Sequence, residues 1–368
     1  MKMKRILDKI HRLWAKGVDF DQKEIKKAMK KNELLHLDID FTAKCNLNCF
    51  YCDRTPDRFS RKNREELTLA ERKNVIAQAK ALGAKTVEVP GAGEPLLDPY
   101  FWETIEYING LKIIPVIFTS GHQLDENTVD KLFKKNVTIF IKYNHTDPVI
   151  QDKIVKYVGY GIKANKIFQM FQDKGFNKTK PTRLAVDMVI TPQYHDIDIV
   201  KTIFRYCRNN NIHFYITTLI PEGIADNKNK LMLKTEADQL LEEFRLIDER
   251  EFGIKYTPTR PMIGGYQCNQ VNVGVHVNLY GEVYDCNGLG RFLGHIKQNT
   301  LAEIWNSAYA RYIRSNFQNG YCLPRERVWN GIEEKGMDRK VIDYFNWKTK
   351  NGTDKIVECG LKYLGYYL

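Results

Sequence analysis

Between residues 36 and 219 the sequence switches repeatedly between a strand-like and a helix-like period, and this alternation limits the fold more than any other property of the chain. Strands are expected over 36–41, 86–89, 113–118, 137–142, 183–190 and 212–219, where apolar residues alternate with polar ones or β-branched residues cluster. Helical spacing fills the intervals, over 101–108, 129–133, 156–174 and 197–208. Thr68 with Glu71 forms a capping box for a further helix, which carries Val75, Ile76 and Leu82 and stops at Gly83. Six strands joined by helices with short connections imply parallel strands and right-handed crossovers. The sheet is then either doubly wound or curled into a barrel. In both cases the loops after strand C-termini form the active edge.

Upstream, residues 3–33 read as two helices. Ile6, Leu7, Ile10, Leu13 and Trp14 share one face, and Asp21 with Glu24 is a capping-box signal for the second helix. Beyond about residue 225 the alternation stops, and a helix over 234–249 leads into a less regular region. The expected division is N-terminal helices over 1–34, a strand–helix body over 35–225 and a C-terminal extension over 226–368.

Three unusual segments fall at the ends of expected strands. One is Lys44-Cys45-Asn46-Leu47-Asn48-Cys49-Phe50-Tyr51-Cys52, the second is Gly91-Ala92-Gly93-Glu94-Pro95, and the third is Thr119-Ser120-Gly121. The basic start Met1-Lys2-Met3-Lys4-Arg5 has no apolar stretch behind it, and no run approaches the ~18 apolar residues of a membrane span. A cytoplasmic chain without a membrane partner is expected, and there clustered thiols read as metal ligands rather than disulfides. Three thiols in one short loop leave a tetrahedral site one ligand short. A partial zinc or ferredoxin-like site is the plain alternative, but no fourth Cys or His lies nearby. The net charge of +12 comes from dispersed lysines. It reads as a solvated surface, and no arginine-rich arm or recognition helix points to a nucleic-acid partner.

The Cys45-x3-Cys49-x2-Cys52 spacing, with Tyr51 before the last cysteine, resembles the cluster loop of the radical S-adenosylmethionine (SAM) superfamily. The glycine turn resembles that family's Gly-Gly-Glu-Pro element, and Thr119-Ser120-Gly121 its Thr-Asn-Gly turn, with Ser120 in place of Asn. The resemblance covers about residues 35–325. It implies a partial (β/α)6 TIM-like barrel with a C-terminal α+β Twitch-like extension. It also implies a [4Fe–4S] cluster on Cys45, Cys49 and Cys52, and SAM held by Tyr51, Gly91, Gly93, Glu94, Thr119 and Ser120. In the family, one electron from the cluster cleaves SAM to a 5′-deoxyadenosyl radical that abstracts hydrogen from substrate carbon.

Cys268, seventeen further residues and Cys286, followed by Leu301-Ala302-Glu303-Ile304-Trp305 and Cys322, resemble the start of a SPASM/Twitch extension. The chain has too few cysteines for a full SPASM set, so one auxiliary [4Fe–4S] cluster is implied, on Cys268, Cys286 and Cys322. Arg325 stands where a fourth cysteine is common. Cys359 is a candidate replacement, and an open iron that touches substrate is the alternative. The plain reading of these thiols is burial as small hydrophobes, and Cys207, on an apolar helix face with Ile203 and Phe204, is assigned to it. The catalytic residues are not assigned. The expected activity is a radical SAM oxidoreductase that dehydrogenates or epimerises a sugar, aminocyclitol or other polar small molecule, with flavodoxin or ferredoxin as electron donor. The competing reading is a maturase of a ribosomally made peptide. The roughly 35 residues before the first strand look helical rather than winged-helix, which favours the small molecule.

Overall fold

The computed structural model describes residues 14–52, 65–219, 232–255, 262–263, 268, 270–288, 290–317, 327, 330–331 and 338–366. Ten strands form one sheet. They are β1 (His36–Ile39), β2 (Thr86–Val89), β3 (Ile114–Thr119), β4 (Thr138–Lys142), β5 (Leu184–Ile190), β6 (His213–Thr218), β7 (Met262–Ile263), β8 (Gly274–Val277), β9 (Glu282–Tyr284) and β10 (Phe292–His295). Their order across the sheet is β10-β9-β8-β1-β2-β3-β4-β5-β6-β7. Strands β1 to β6 are parallel neighbours in sequence order, as the alternation predicts. The sheet does not close on itself, which makes it a partial TIM-like barrel with a C-terminal extension.

The helices that cover the outer face begin with α1 (Gln22–Lys31), α2 (Leu69–Ala81), α3 (Phe101–Gly110) and α4 (Glu126–Lys134). They continue with α5 (Pro148–Val155), α6 (Tyr160–Lys174), α7 (Ile197–Asn209) and α8 (Lys234–Ile247). The Thr68–Glu71 capping box forms in full. The expected box at Asp21 forms only in half. Asp21 accepts from the Lys23 amide at 2.7 Å, but Glu24 turns away to pair with Lys85 across on the β2 side. The single helix expected over 156–174 is two helices. Lys156 and Gly159 both adopt left-handed backbone (φ 54° and 85°), which ends α5 and lets the Asp152 carboxylate cap α6 through the Gly159 and Gly161 amides. The expected first N-terminal helix lies outside the described residues.

Each strand's two faces go to different places. Leu37, Ile39, Val87, Ile117, Ile139 and Val186 join the large core beneath the outer helices. Val116, Phe118, Phe140 and Ala185 form a smaller inner cluster. The chain before α1 plugs that interior from below. Lys16 donates to the Thr182 carbonyl at 2.8 Å, and Thr138 Oγ1 donates to the Lys16 carbonyl at 2.9 Å.

The region read as irregular contributes a seventh parallel strand. Strand β8 pairs with β1 from His36↔Gly274 to Ile39↔Val277, and β9 and β10 continue the sheet antiparallel. Helices α9 (Gln270–Val273), α10 (Leu301–Asn306), α11 (Ala308–Asn316), α12 (Asp338–Asn351) and α13 (Lys355–Tyr363) complete the extension. It is fastened to the barrel by Trp305 Nε1 donating to the Asn32 carbonyl (2.7 Å) and the Leu301 amide donating to Gln78 Oε1 (2.7 Å).

Candidate functional site

The cysteine loop leaves the end of β1 and is pinned to the end of α5. The Asn48 and Phe50 amides donate to the Val155 and Ile154 carbonyls, each at 3.1 Å, and the Cys52 amide to the Cys49 carbonyl at 3.1 Å. Leu47, Phe50 and Tyr51 bury themselves against Ile154, Val155, Tyr160 and Ala164, with Cys45 and Cys49 packed on the same cluster. Apolar surface therefore fixes the loop's shape and leaves the thiols to converge.

Burial, then the charges of Cys52 and Cys45, push the Cys49 thiol up to about 12, while the Tyr51 hydroxyl donates to its sulfur. Three thiolates so placed need a positively charged partner to stay deprotonated. Among the described residues, the one His/Cys/Asp/Glu set closing to within 4.8 Å is His36, Asp38 and Glu88, not these cysteines.

The glycine turn after β2 lies directly on this loop. The Glu94 amide donates to the Lys44 carbonyl at 2.8 Å. A Cβ on Gly93 would come within 2.3 Å of that same carbonyl oxygen, so only glycine permits the approach. Gly91 is left-handed (φ 87°), and the Ala92 amide donates to Asp40 Oδ1 at 3.2 Å. The Glu94 side chain crosses to the turn after β3. Its carboxylate accepts from Thr119 Oγ1 (2.6 Å), the Ser120 amide (2.8 Å) and Ser120 Oγ (2.7 Å). Burial holds the Glu94 carboxyl above its usual range, against the pull of these bonds. The structure thus brings together Cys45, Cys49, Cys52, Tyr51, Gly91, Gly93, Glu94, Thr119 and Ser120 at the C-terminal edge of β1 to β3.

Several further residues hold this edge together. Tyr160, fully buried, donates its hydroxyl to the Ser120 carbonyl at 2.7 Å, and Asn46 Nδ2 meets His122 Nδ1 at 2.6 Å. Asn144 holds the first loop from the β4 side, donating to the Tyr51 hydroxyl at 3.2 Å and accepting from the Val189 amide at 3.2 Å. Lys142 pairs with Asp187 (2.5 Å) and His276 with Asp40 (3.5 Å), which gives the inner wall below the edge a charged lining.

The second cysteine set is spread over the extension. Cys268 precedes α9, and Cys286 follows β9 with its sulfur accepting from the Gly288 amide at 3.3 Å. Cys359 lies on α13 with its thiol 3.7 Å from Gln298 Oε1. Cys322 and Arg325 lie outside the described residues. Cys207 is fully buried in the core, as its helical spacing predicts.

A partial barrel of parallel strands with a three-cysteine loop on one edge and a buried acidic turn beside it defines an iron–sulfur enzyme class by architecture. The comparisons agree. A radical SAM superfamily profile matches residues 39–229, and an iron–sulfur cluster-binding (SPASM) profile matches residues 268–324. The chain belongs to the radical SAM superfamily. It is 25% identical over 248 residues to the probable GTP 3′,8-cyclase of Methanocaldococcus jannaschii, over 64% of this chain and 79% of that one. It is 23% identical over 305 residues to the GTP 3′,8-cyclase of Aquifex aeolicus, over 75% and 90% of the two chains. Among solved structures it resembles Streptococcus suis SuiB bound to precursor peptide SuiA (TM-score 0.60, 17% identity, 80% of this chain and 71% of that one). It also resembles anSMEcpe with bound AdoMet (TM-score 0.53, 15% identity, 76% and 83%). At such identities the likeness is one of fold. The superfamily brings a [4Fe–4S] cluster and SAM, and the SPASM match brings auxiliary iron–sulfur binding. No helix among the described residues is long and apolar enough to cross a membrane.

Proposed function

We propose that Cys45, Cys49 and Cys52 ligate the SAM-binding cluster, and that Tyr51, Gly91, Gly93, Glu94, Thr119 and Ser120 form the SAM site. The observation that carries this reading is the Glu94 amide donating to the Lys44 carbonyl, which lays the glycine turn along the cysteine loop. When bound, the cluster and SAM supply a 5′-deoxyadenosyl radical that takes a hydrogen atom from a substrate carbon. The backbone of Gly91 and Gly93 gives a wall without side chains against which a ligand backbone can lie. Glu94, anchored by Thr119 and Ser120, presents an acidic group where an amino group would be held. Tyr51 and Asn144 fix Cys49 from behind. Cys268, Cys286 and Cys322, with Cys359 as candidate fourth ligand, hold the auxiliary cluster.

The substrate is a polar small molecule of the sugar or aminocyclitol kind, dehydrogenated or epimerised. The charged inner wall of Asp40, His276, Lys142 and Asp187 supports this reading, because such a lining rewards hydroxyl and amino groups. The name of the relatives, GTP 3′,8-cyclase, also denotes a small polar substrate. A flavodoxin or ferredoxin supplies the electron.

The test is anaerobic reconstitution followed by 5′-deoxyadenosine release under dithionite. The wild-type chain is expected to hold about eight irons in two cubanes. The Cys45→Ala/Cys49→Ala/Cys52→Ala chain is expected to lose about half of them and all release; continued release would sink the cluster assignment. Adding protease-treated, ultrafiltered cell extract is expected to stimulate release. Stimulation that protease abolishes would replace the small molecule with a peptide.

A further inference from the structure

Below the site just described, the inner face of the barrel carries a second group of ligating side chains. His36 and Asp38 on β1 and Glu88 on β2 point inward, while Leu37 and Ile39 point to the outer core. His36 Nδ1 lies 3.4 Å from Asp38 Oδ1 and 3.8 Å from Glu88 Oε1. All three ligand atoms lie within 4.8 Å of one another. These separations exceed the ~2.9 Å of a good hydrogen bond. The first matches the ~3.4 Å edge of a tetrahedron of ligands about 2.1 Å from a central ion, and the second is somewhat longer.

Two buried oxygens around this spot have no hydrogen-bond partner, Asp38 Oδ2 and Thr86 Oγ1, on residues that are each 0% exposed. Thr86 is the register neighbour of His36, and Glu88 that of Asp38, so both orphaned oxygens border the same space. Buried oxygens without partners are rare in native interiors, and an ion is one of the few things that satisfies two at once. The histidine ring is also held in place. Phe20 stacks on it at 6.2 Å between centroids, and Gly274 lies so close that a Cβ there would come within 2.3 Å of the ring.

We propose that His36, Asp38 and Glu88 form a buried site for one divalent first-row cation, separate from both iron–sulfur sites. One imidazole nitrogen and two carboxylates are a donor set for Mn2+ or Zn2+ rather than for a thiolate-seeking ion. Asp38 lies two residues before Asp40, which receives the Ala92 amide of the glycine turn. The ion would thus sit about 7 Å of strand below the edge and stiffen β1 and β2 beneath it. It would not depend on the assignment of SAM ligands above.

The test uses the cluster-loaded full chain, stripped of loose metal and titrated anaerobically with Mn2+, with free Mn2+ followed by its six-line EPR signal. One tight equivalent per chain is expected in the wild type. Asp38→Asn and Glu88→Gln, near-isosteric changes, should each weaken it by at least about tenfold at unchanged iron content. The pulsed EPR of the bound ion should show coupling to a single imidazole nitrogen, a readout that needs no variant to fold. No tight uptake by the wild type would overturn the proposal. Uptake unaffected in both folded variants, or bound Mn2+ without nitrogen coupling, would overturn it too.

Discussion

Replacing Gly93 with alanine tests the contact on which the candidate site depends. The added Cβ would sit 2.3 Å from the Lys44 carbonyl oxygen and 2.7 Å from the Ala43 carbonyl carbon, both backbone atoms that cannot rotate away. Such contacts are not seen below 3.0 Å, so turn and loop must part by at least 0.7 Å (3.0 − 2.3). The Glu94 amide would then stand about 3.5 Å or more from the Lys44 oxygen instead of 2.8 Å, past useful hydrogen-bonding range. The lost bond costs about 0.5–1.5 kcal/mol and the overpacking about 1–3 kcal/mol, together about 1.5–4.5 kcal/mol of stability. The displacement also moves Lys44 beside Cys45 and Glu94 beside Ser120, so SAM affinity should fall at least about tenfold, or 1.4 kcal/mol. Urea unfolding reads the first quantity, and equilibrium dialysis of SAM against the reconstituted protein reads the second. Gly110→Ala is the control, because a Cβ there meets nothing within 4 Å and the position is the exposed end of a helix. It should be neutral or stabilise by about 0.5–1 kcal/mol. If Gly93→Ala kept both the urea midpoint and the SAM affinity of the wild type, the close approach of turn and loop would be wrong.

Glu94→Gln places an amide where three donors converge, and should cost about 1–3 kcal/mol and weaken SAM binding. The Glu94 carboxyl is raised on folding, so the folded chain keeps that proton to higher pH than the unfolded one. Its contribution to stability therefore falls as pH rises from the ordinary carboxylate range to the raised value, and the Gln variant should lose that slope in urea midpoints measured against pH. Arg208→Ala leaves Asp248, fully buried and paired with Arg208 at 2.8 and 3.1 Å, without its cation. A loss of about 3–5 kcal/mol in urea unfolding is expected. Cys207, its thiol pushed by burial up to about 12, should resist iodoacetamide in the folded chain and react fully after denaturation, as read by mass spectrometry.

The sequence exposes the six central strands because their signals are local. Thr86–Val89 is placed to the residue, and the other five to within one or two. The cysteine loop is legible because ligand spacing lies within eight consecutive residues. Strand β8 is not legible, because Gly274-Val275-His276-Val277 becomes a strand through a partner 238 positions earlier (274 − 36). The broken helix at 156–159 escapes for a different reason. Lys156 has no side-chain preference for the left-handed backbone it adopts, and only Gly159 hints at the break. The inner charged wall was partly visible. His36-Leu37-Asp38-Ile39-Asp40 alternates so strictly that a polar inner face follows, yet a polar face on a strand usually means solvent, and here it means the barrel interior.

The unexpected pairing of β8 with β1 alters how the extension relates to the cluster loop. The Asp40 amide donates to the Val277 carbonyl at 3.1 Å, five residues before Cys45, so the last ladder bond of this pair lies at the root of the loop. The β8–β9 turn then reverses the chain, and Cys286 follows β9 on the way back from the C-terminal edge. A run of three strand residues spans about 10 Å, so the sheet register sets the spacing between the loop and Cys286. An appended domain on a flexible linker would let that spacing vary, and electron transfer between two clusters falls steeply with distance. Joining the extension to the barrel through a continuous sheet removes that freedom. The same ladder carries His276 to Asp40 and Gly274 to His36, so β8 builds the inner wall as well as the spacing. The extension is therefore continuous with the barrel's sheet and not a module placed beside it.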